Sequence, residues 1–276
     1  MQQGISLHIG VNIVDINHYG DENTLYGCRN DAIAMQTIAD KQNFESSILL
    51  DDQATTTNVI QKITQAADRL KEGDSFFMTY SGHGGQVLDE SGDDKDNDET
   101  LCLFDRQYRD DEFNRQLARF VSGVKIIWVS DSCHATNNFR NLDDSENEET
   151  LPPSRSLGLN KSVEVLKNNK SVYADWFAHG DFMRASTPTI AASLLQLAAC
   201  KEEQLSGDAF EDDPHPQGVF TSRLLHVWDQ GNFTGTYQAL IDQVGNRIPA
   251  DWNQTPQLVL GGHVEDKFAE EKPFII

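Results

Sequence analysis

The sequence is short of several things, and each shortage removes a class of protein. No stretch of the 276 residues approaches the roughly 20 consecutive apolar residues that cross a bilayer. The first residues have neither the basic nor the apolar part of a secretory signal, so a soluble, cytoplasmic protein is expected. Cysteine is scarce: Cys28, Cys102, Cys133 and Cys200 stand far apart, which offers neither a disulfide framework nor a C-x-x-C zinc site. The ordinary fate of such a cysteine is burial as a small apolar side chain. Positive charge is also scarce, with 22 Lys and Arg against 44 Asp and Glu and a formal net charge of −22. That balance repels nucleic acid and anionic membranes and attracts cations, either metal ions or basic peptide segments. No internal repeat is evident.

What remains is an ordinary globular composition, 38% hydrophobic and 24% charged, able to bury a core. Strands are predicted over 5–11, 47–50, 75–80, 124–130, 189–200 and 257–260. Helices are predicted after a cap at Asn30 or Asp31, with Ile33, Ala34, Ile38 and Ala39 on one face, and over 57–70, 112–120, 219–228 and 237–248. Alternation of the two element types predicts an α/β fold, a mostly parallel sheet flanked by helices on both faces. Residues 140–172 break the pattern: acids give way to Pro152-Pro153 and then to scattered Arg and Lys. A stretch of this kind reads as a mobile linker. It divides a single domain into segments over about 5–140 and 173–276.

Chemistry is announced by position. His83 follows the end of the strand at 75–80, and Cys133 follows the end of the strand at 124–130. The carboxyl ends of parallel strands are where catalytic groups gather, so neighbouring strands would bring the two side chains together. A thiol needs a base or an imidazolium partner to act as a nucleophile at neutral pH. A lone Cys or His is more often structural; the pair, each bracketed by Gly or Asp after a strand, favours Cys133 as nucleophile and His83 as acid–base. The amides of Gly84 and Cys133 are candidates for an oxyanion hole, worth about 3 kcal/mol per donor. His134 adjoins the nucleophile in the chain, which is poor geometry for a base. His8, His18, His179, His215, His226 and His263 have no comparable context and read as structural or surface residues.

At these residues the sequence resembles a known family. Tyr80-Ser81-Gly82-His83-Gly84-Gly85 and Asp131-Ser132-Cys133-His134 are similar to the two catalytic motifs of metacaspases and their prokaryotic relatives, the orthocaspases. The likeness extends to Gly27-Cys28-Arg29-Asn30-Asp31-Ala32, to the segment from Ala198 to Gln204 and to Pro256-Gln257-Leu258-Val259-Leu260, and so covers about residues 5–262. The spacing of His83 and Cys133 is also about the 50 residues typical of caspases. The resemblance implies the caspase–hemoglobinase fold, a prokaryotic type without a prodomain, and a cysteine endopeptidase. It further implies that Cys28, Asp31, Ser81 and Asp131 line the primary specificity pocket. Two carboxylates there favour a cation, so cleavage after Arg or Lys is expected; otherwise Asp31 merely caps its helix and Asp131 orients a loop. One departure is Ala135-Thr136, where the family usually reads Ser-Gly.

Two further expectations follow. The run from Asp89 to Glu99 is dense in hard oxygen ligands; it reads either as a solvated face or as a calcium site. Matching the family's site selects Asp98, Asp110 and Asp111, with Arg140 near the position of a further acid. No cofactor is required for the chemistry, and calcium is the ion that the resemblance brings in. A basic-residue protease with basic residues in an exposed linker is expected to cut itself, at Arg140, Arg155, Lys161, Lys167 or Lys170. The expected partners are peptides or proteins with Arg or Lys at the cleavage site, with no nucleic acid and no membrane, and the chain is expected to be a monomer. The rival readings are a catalytically silent, calcium-sensing adaptor on the same fold, and a thiol transferase or ligase using the same pair.

Overall fold

The computed structural model describes residues 2–87, 98–133, 152–176, 189–201, 203–210, 212–263 and 267–276. Its centre is a six-stranded sheet of β1 (Gly4–Gly10), β2 (Glu45–Leu50), β3 (Ser75–Ser81), β7 (Lys125–Asp131), β8 (Ser193–Ala198) and β9 (Gln257–Gly262), in the order β2-β1-β3-β7-β8-β9. The first five run parallel, and β9 alone pairs antiparallel, against β8. A second small sheet carries β4 (Gly84–Val87), β5 (Asp98–Cys102) and β6 (Gln107–Arg109). The helices are α1 (Ile16–Tyr19), α2 (Cys28–Lys41), α3 (Thr56–Arg69), α4 (Asp110–Leu117), α5 (Leu159–Asn168), α6 (Val219–Trp228) and α7 (Tyr237–Gly245). Mixed α/β architecture with helices on both faces is as the sequence predicts.

Parallel central strands are buried on both sides, and β3 is buried at all seven residues of Ser75-Phe76-Phe77-Met78-Thr79-Tyr80-Ser81. Alternate side chains therefore serve two cores. Phe76, Met78 and Tyr80 join Val59, Ile63 and Ala66 of α3 on one face. Phe77 meets Met35 and Ile38 of α2, Phe220 and Leu224 of α6, and Leu240 of α7 on the other. Thr55 caps α3, its hydroxyl accepting from the Asn58 amide, as hydroxyl side chains do at helix starts.

Several expectations need correcting. Helix α2 begins at Cys28, three residues before the predicted cap region ends, so Asp31 is inside its first turn and 1% exposed. Its inward face carries Cys28, Asp31, Ala32, Met35, Ile38 and Ala39, whereas Ile33 points outward; the 3.6-residue period simply starts from an earlier residue. Helix α4 opens at Asp110 rather than 112, because three acids suit a helix N-terminus. The strand predicted over 189–200 is confined to Ser193–Ala198.

The largest correction concerns the linker. Residues 152–176 are built into the fold, with Arg155, Leu157, Val165, Leu166, Tyr173 and Trp176 all buried. Helix α5 packs on β4, and Leu166, Tyr173 and Trp176 cluster with Val87. Arg140 lies outside the described residues.

Candidate active site

The register of β3 and β7 builds the site. Ser81 pairs with Asp131, so His83 and Cys133 emerge two residues beyond the same rung at the carboxyl end of the sheet. The His83 backbone is pinned: its carbonyl accepts from the Tyr80 hydroxyl at 2.7 Å and from the Cys102 amide at 2.9 Å. Gly82 permits this, since a Cβ there would meet the Tyr80 hydroxyl at 2.5 Å.

The imidazole Nε2 lies 2.8 Å from the carbonyl of Asn23. A carbonyl can only accept, so Nε2 carries the proton and Nδ1 is the basic atom. Nδ1 is buried with no hydrogen-bond partner among the described residues, an arrangement that native structures rarely tolerate without a functional reason. Asn23 itself has φ of 45°, a left-handed turn that asparagine accepts more readily than most residues. The sequence gives no sign of this third participant because a backbone carbonyl has no residue signature.

The Cys133 sulfur is fully buried, and the covering is the chain's own linker. The Ser154 hydroxyl sits 3.6 Å from Sγ. The carbonyl of Arg155 accepts from the amide of Gly84 at 2.9 Å and, at 3.4 Å, from the amide of Cys133. These are the two donors that the sequence singles out. On one side of that carbonyl, the Arg155 amide donates to Ser206 O at 3.0 Å and the Asp208 amide donates to Pro153 O. On the other side, the Leu157 amide donates to Gly84 O at 2.8 Å. Segment 153–157 thus lies extended through the site like a bound peptide.

The Arg155 side chain lies among Cys28, Asp31, Ser81 and Asp131, the four residues that the family resemblance implied for the specificity pocket, and among Asp208 and Gly218, which no sequence feature indicated. All five guanidinium N–H groups find acceptors. Nε donates to Asp208 Oδ1 at 3.2 Å, and Nη2 donates to Asp208 Oδ1 at 2.8 Å and Asp31 Oδ2 at 2.6 Å. Nη1 donates to Ser81 Oγ at 2.6 Å and to the Asp131 carbonyl at 3.1 Å, with Asp131 Oδ2 at 3.0 Å. Arg155, Asp31, Asp131 and Asp208 are each at most 1% exposed. Asp208 could have been suspected only from its place four residues after the Ala198–Gln204 segment ends. Gly218 forms the wall, where a Cβ would meet Arg155 Cζ and Asp131 Oδ2 at 2.5 Å.

Burial shifts the reacting groups toward neutrality. Desolvation pushes the Cys133 thiol up to about 11 and pulls the His83 imidazole down to about 4. Covered by the linker, the pair is thiol and neutral imidazole, and proton transfer must accompany attack. Burial likewise pushes Asp31 up to about 6 against the opposing pull of Arg155.

The expected calcium ligands behave differently. Asp98 is buried and paired with Arg109 at 3.2 Å, while Asp110 and Asp111 open α4. No group of three or more His, Cys, Asp or Glu side chains with metal-binding geometry occurs among the described residues. Residues 89–97 of the acidic run lie outside them. Lys161 and Lys167 sit within α5, a conformation a protease cannot thread as an extended peptide, and Lys170 follows in the next turn. His8 is a buried structural residue, bonded to Thr79 and Ser6 and pulled down to about 3 by burial.

A thiol and an imidazole at the carboxyl ends of adjacent parallel strands, with helices on both faces, define a caspase-type cysteine peptidase site. Comparison with known proteins agrees: residues 11–263 match the Caspase domain family, and the chain belongs to that family. Metacaspase-1 of Mycosarcoma maydis is 26% identical over 280 residues, covering 89% of this chain and 68% of that protein. Metacaspase-1A of Aspergillus fumigatus is 34% identical over 279 residues, covering 89% and 67%. The chain thus spans about two thirds of the length of these relatives. The crystal structure of protein GSU0716 from Geobacter sulfurreducens matches with a TM-score of 0.85 at 33% identity, covering 99% of both chains. No helix among the described residues is long and apolar enough to cross a membrane.

Gly218 has φ of −60° and ψ of 149°, open to any L residue, so a side chain there acts only by filling space. Gly218→Val in a Cys133→Ala background should expel the guanidinium and raise the rate of trypsin cleavage at Arg155 by at least about tenfold, since cleavage tracks the opened population. Unchanged resistance would mean that the pocket is not closed by this wall.

Proposed function

We propose that this protein is a cysteine endopeptidase that cleaves after arginine, and that its first substrate is its own Arg155–Ser156 bond. The single observation that carries this reading is Arg155, with its side chain in a three-carboxylate pocket and its carbonyl on the amides of Gly84 and Cys133. Sγ of Cys133 attacks that carbonyl while Nδ1 of His83 takes the thiol proton, and the Gly84 and Cys133 amides receive the developing oxyanion. His83 then protonates the leaving amine, and water hydrolyses the thioester. The Asn23 carbonyl holds the ring in the required tautomer. We assign calcium no step, because Asp98 already has a cation in Arg109.

Arginine and lysine are both cations, but the pocket distinguishes them. Its acceptors are spread around a planar fork, and the contact to Nε has no counterpart in lysine. A lysine ammonium offers three donors from one nitrogen and leaves acceptors unpaired, which a buried site penalises. Arginyl fluorogenic peptides are expected to be cleaved at least about tenfold more efficiently than lysyl ones, and aspartyl ones not at all. Asp208→Asn should lower kcat/KM for arginyl peptides by about 100-fold and for lysyl peptides by less. Equal losses on the two would remove Asp208 as the discriminating residue, and preference for aspartyl peptides would overturn the pocket assignment.

The pocket also sets a pH dependence. Asp31 is held up to about 6 even with a guanidinium beside it; once the pocket empties, the carboxylate gains a proton at that pH or above. Protonation removes charge that the substrate needs. kcat/KM for arginyl peptides, which reports the empty pocket, should therefore begin to fall above pH 6, while kcat, which reports the occupied site, holds down to about 6. A flat kcat/KM between pH 7 and 5 would contradict this.

For self-cleavage, wild type should yield a fragment ending at Arg155 and another beginning at Ser156. Neither Cys133→Ala nor Arg155→Ala should yield them. Fragments from the Cys133→Ala protein would assign the cut to another protease.

A further inference from the structure

The two sides of the Arg155–Ser156 bond differ in what holds them, and the side that would leave is not free to go. In an ordinary peptide the amine released by thioester formation diffuses away. Here the residue after the bond bridges to Gly84, and Leu157 donates its amide to Gly84 O at 2.8 Å while its side chain is buried in the main core. One residue later, Gly158 turns with φ of 76° into α5. That helix and the turn after it are fastened to parts of the fold outside the cleft. Gln107 Nε2 donates to Ser162 O at 3.0 Å, Asn169 Nδ2 donates to His18 O at 2.9 Å, and the Tyr173 hydroxyl contacts His18 Nε2 at 2.7 Å. The Gln107 amide donates to the same hydroxyl at 3.1 Å.

On the strength of the self-cleavage reading above, we propose that the first step at Arg155–Ser156 is reversible in the folded chain, so that this protein ligates its own linker as well as cutting it. In the forward step the Cys133 sulfur bonds to the Arg155 carbonyl carbon, the bond from that carbon to the Ser156 nitrogen breaks, and His83 Nδ1 passes the thiol proton to the departing amine. The product is an internal thioester joining Cys133 and Arg155 within fragment 1–155, with the Ser156 amine anchored immediately before the buried Leu157. In the reverse step that amine attacks the thioester carbon, and a proton returns through His83 to the sulfur. Nothing is consumed in either direction.

Hydrolysis competes only if water reaches the thioester, and the site is closed: Cys133 is 0% and His83 8% exposed. A nucleophile held in place reaches effective molarities on the order of 10^5 M and above, far beyond the concentration of bulk water. The retained amine therefore wins, and net cleavage is limited by capture of the thioester by another nucleophile and not by acylation. The intact chain then persists as its own slowly released inhibitor even though the catalytic groups are in place.

The test is trapping of the thioester. Purified full-length protein is incubated at neutral pH with and without hydroxylamine and analysed by mass spectrometry, with Cys133→Ala alongside and hydrolysis of an arginyl fluorogenic peptide measured on the same samples. Hydroxylamine is expected to raise the rate of chain cleavage by at least about tenfold, giving fragment 1–155 with a hydroxamate at Arg155 and a second fragment with a free Ser156 amine. Cys133→Ala should give neither. Leu157→Ala, which loosens the anchor, should cut faster without hydroxylamine and respond less to it. Peptide hydrolysis with self-cleavage at the same rate in both conditions would overturn the inference and leave the endopeptidase reading standing. Failure to cleave either the peptide or the chain would overturn both.

Discussion

One guanidinium among three carboxylates organises this molecule. Opposite charges about 4 Å apart at a protein-like effective dielectric attract by about 4 kcal/mol, yet burying four charged groups costs a comparable amount, so such a cluster contributes less to stability than its contacts suggest. What it imposes is occupancy. Without Arg155, three buried acids would face one another across the pocket, where burial already pushes Asp31 up to about 6 even with the cation present. A departing arginine must be replaced by another cation or by protons. On the function proposed above, substrate binding in this pocket would be an exchange of like for like, and the chain's own arginine and an incoming one would compete through tether and backbone pairing rather than through any difference in the pocket.

The carboxylates tolerate burial because the fold surrounds them with donors. Asp31 accepts from the Gly218 amide, and Asp131 accepts from the Thr221 amide and hydroxyl and from the Ser206 hydroxyl. Asp208 accepts from the amides of Tyr26 and Gly27. Those amides belong to the start of α6 and the approach to α2, helix ends whose first N–H groups have no partner within the helix. Two helix N-termini thus converge on one pocket, and the dipole of each favours negative charge there. The same convergence makes Gly218 necessary: an amide that approaches a carboxylate at 3.1 Å beside a guanidinium leaves no room for a Cβ.

How much of this was legible in the sequence can be followed residue by residue. The strands were, because their apolar runs have no competing explanation. His83 and Cys133 were, because each stands directly after such a run. The pocket acids Asp31 and Asp131 were reached by family likeness, since a single acid in a helix start looks the same whether it caps the helix or lines a cavity. Asp208 and Gly218 were not, because their role depends on a loop from the second half of the chain folding back against the start of α2, a contact with no local signal. The linker was misread for a related reason. Its composition is polar, but α5 needs only Val165 and Leu166 on its inner face, while Tyr173 and Trp176 beyond it complete the packing against Val87. Arg155 stood among five basic candidates with nothing in the sequence to distinguish it. Only the pocket's acceptors single it out.

The covered state also explains why a neutral thiol is compatible with a working nucleophile. A thiolate formed in advance would be desolvated and far from any compensating charge that the acids of the pocket do not already claim, and burial duly holds the Cys133 proton on. In the proposed mechanism the thiol loses that proton as the carbon–sulfur bond forms, to an imidazole whose Nδ1 has no hydrogen-bond partner among the described residues and whose Nε2 is fixed by Asn23. Charge then appears on the carbonyl oxygen, where two amides already point, rather than on sulfur, where nothing does. In the proposed mechanism the preorganised donors at Gly84 and Cys133 thus supply the electrostatic stabilisation that the closed site denies to the thiolate, and reactivity would be confined to a carbonyl delivered by an arginine in the pocket.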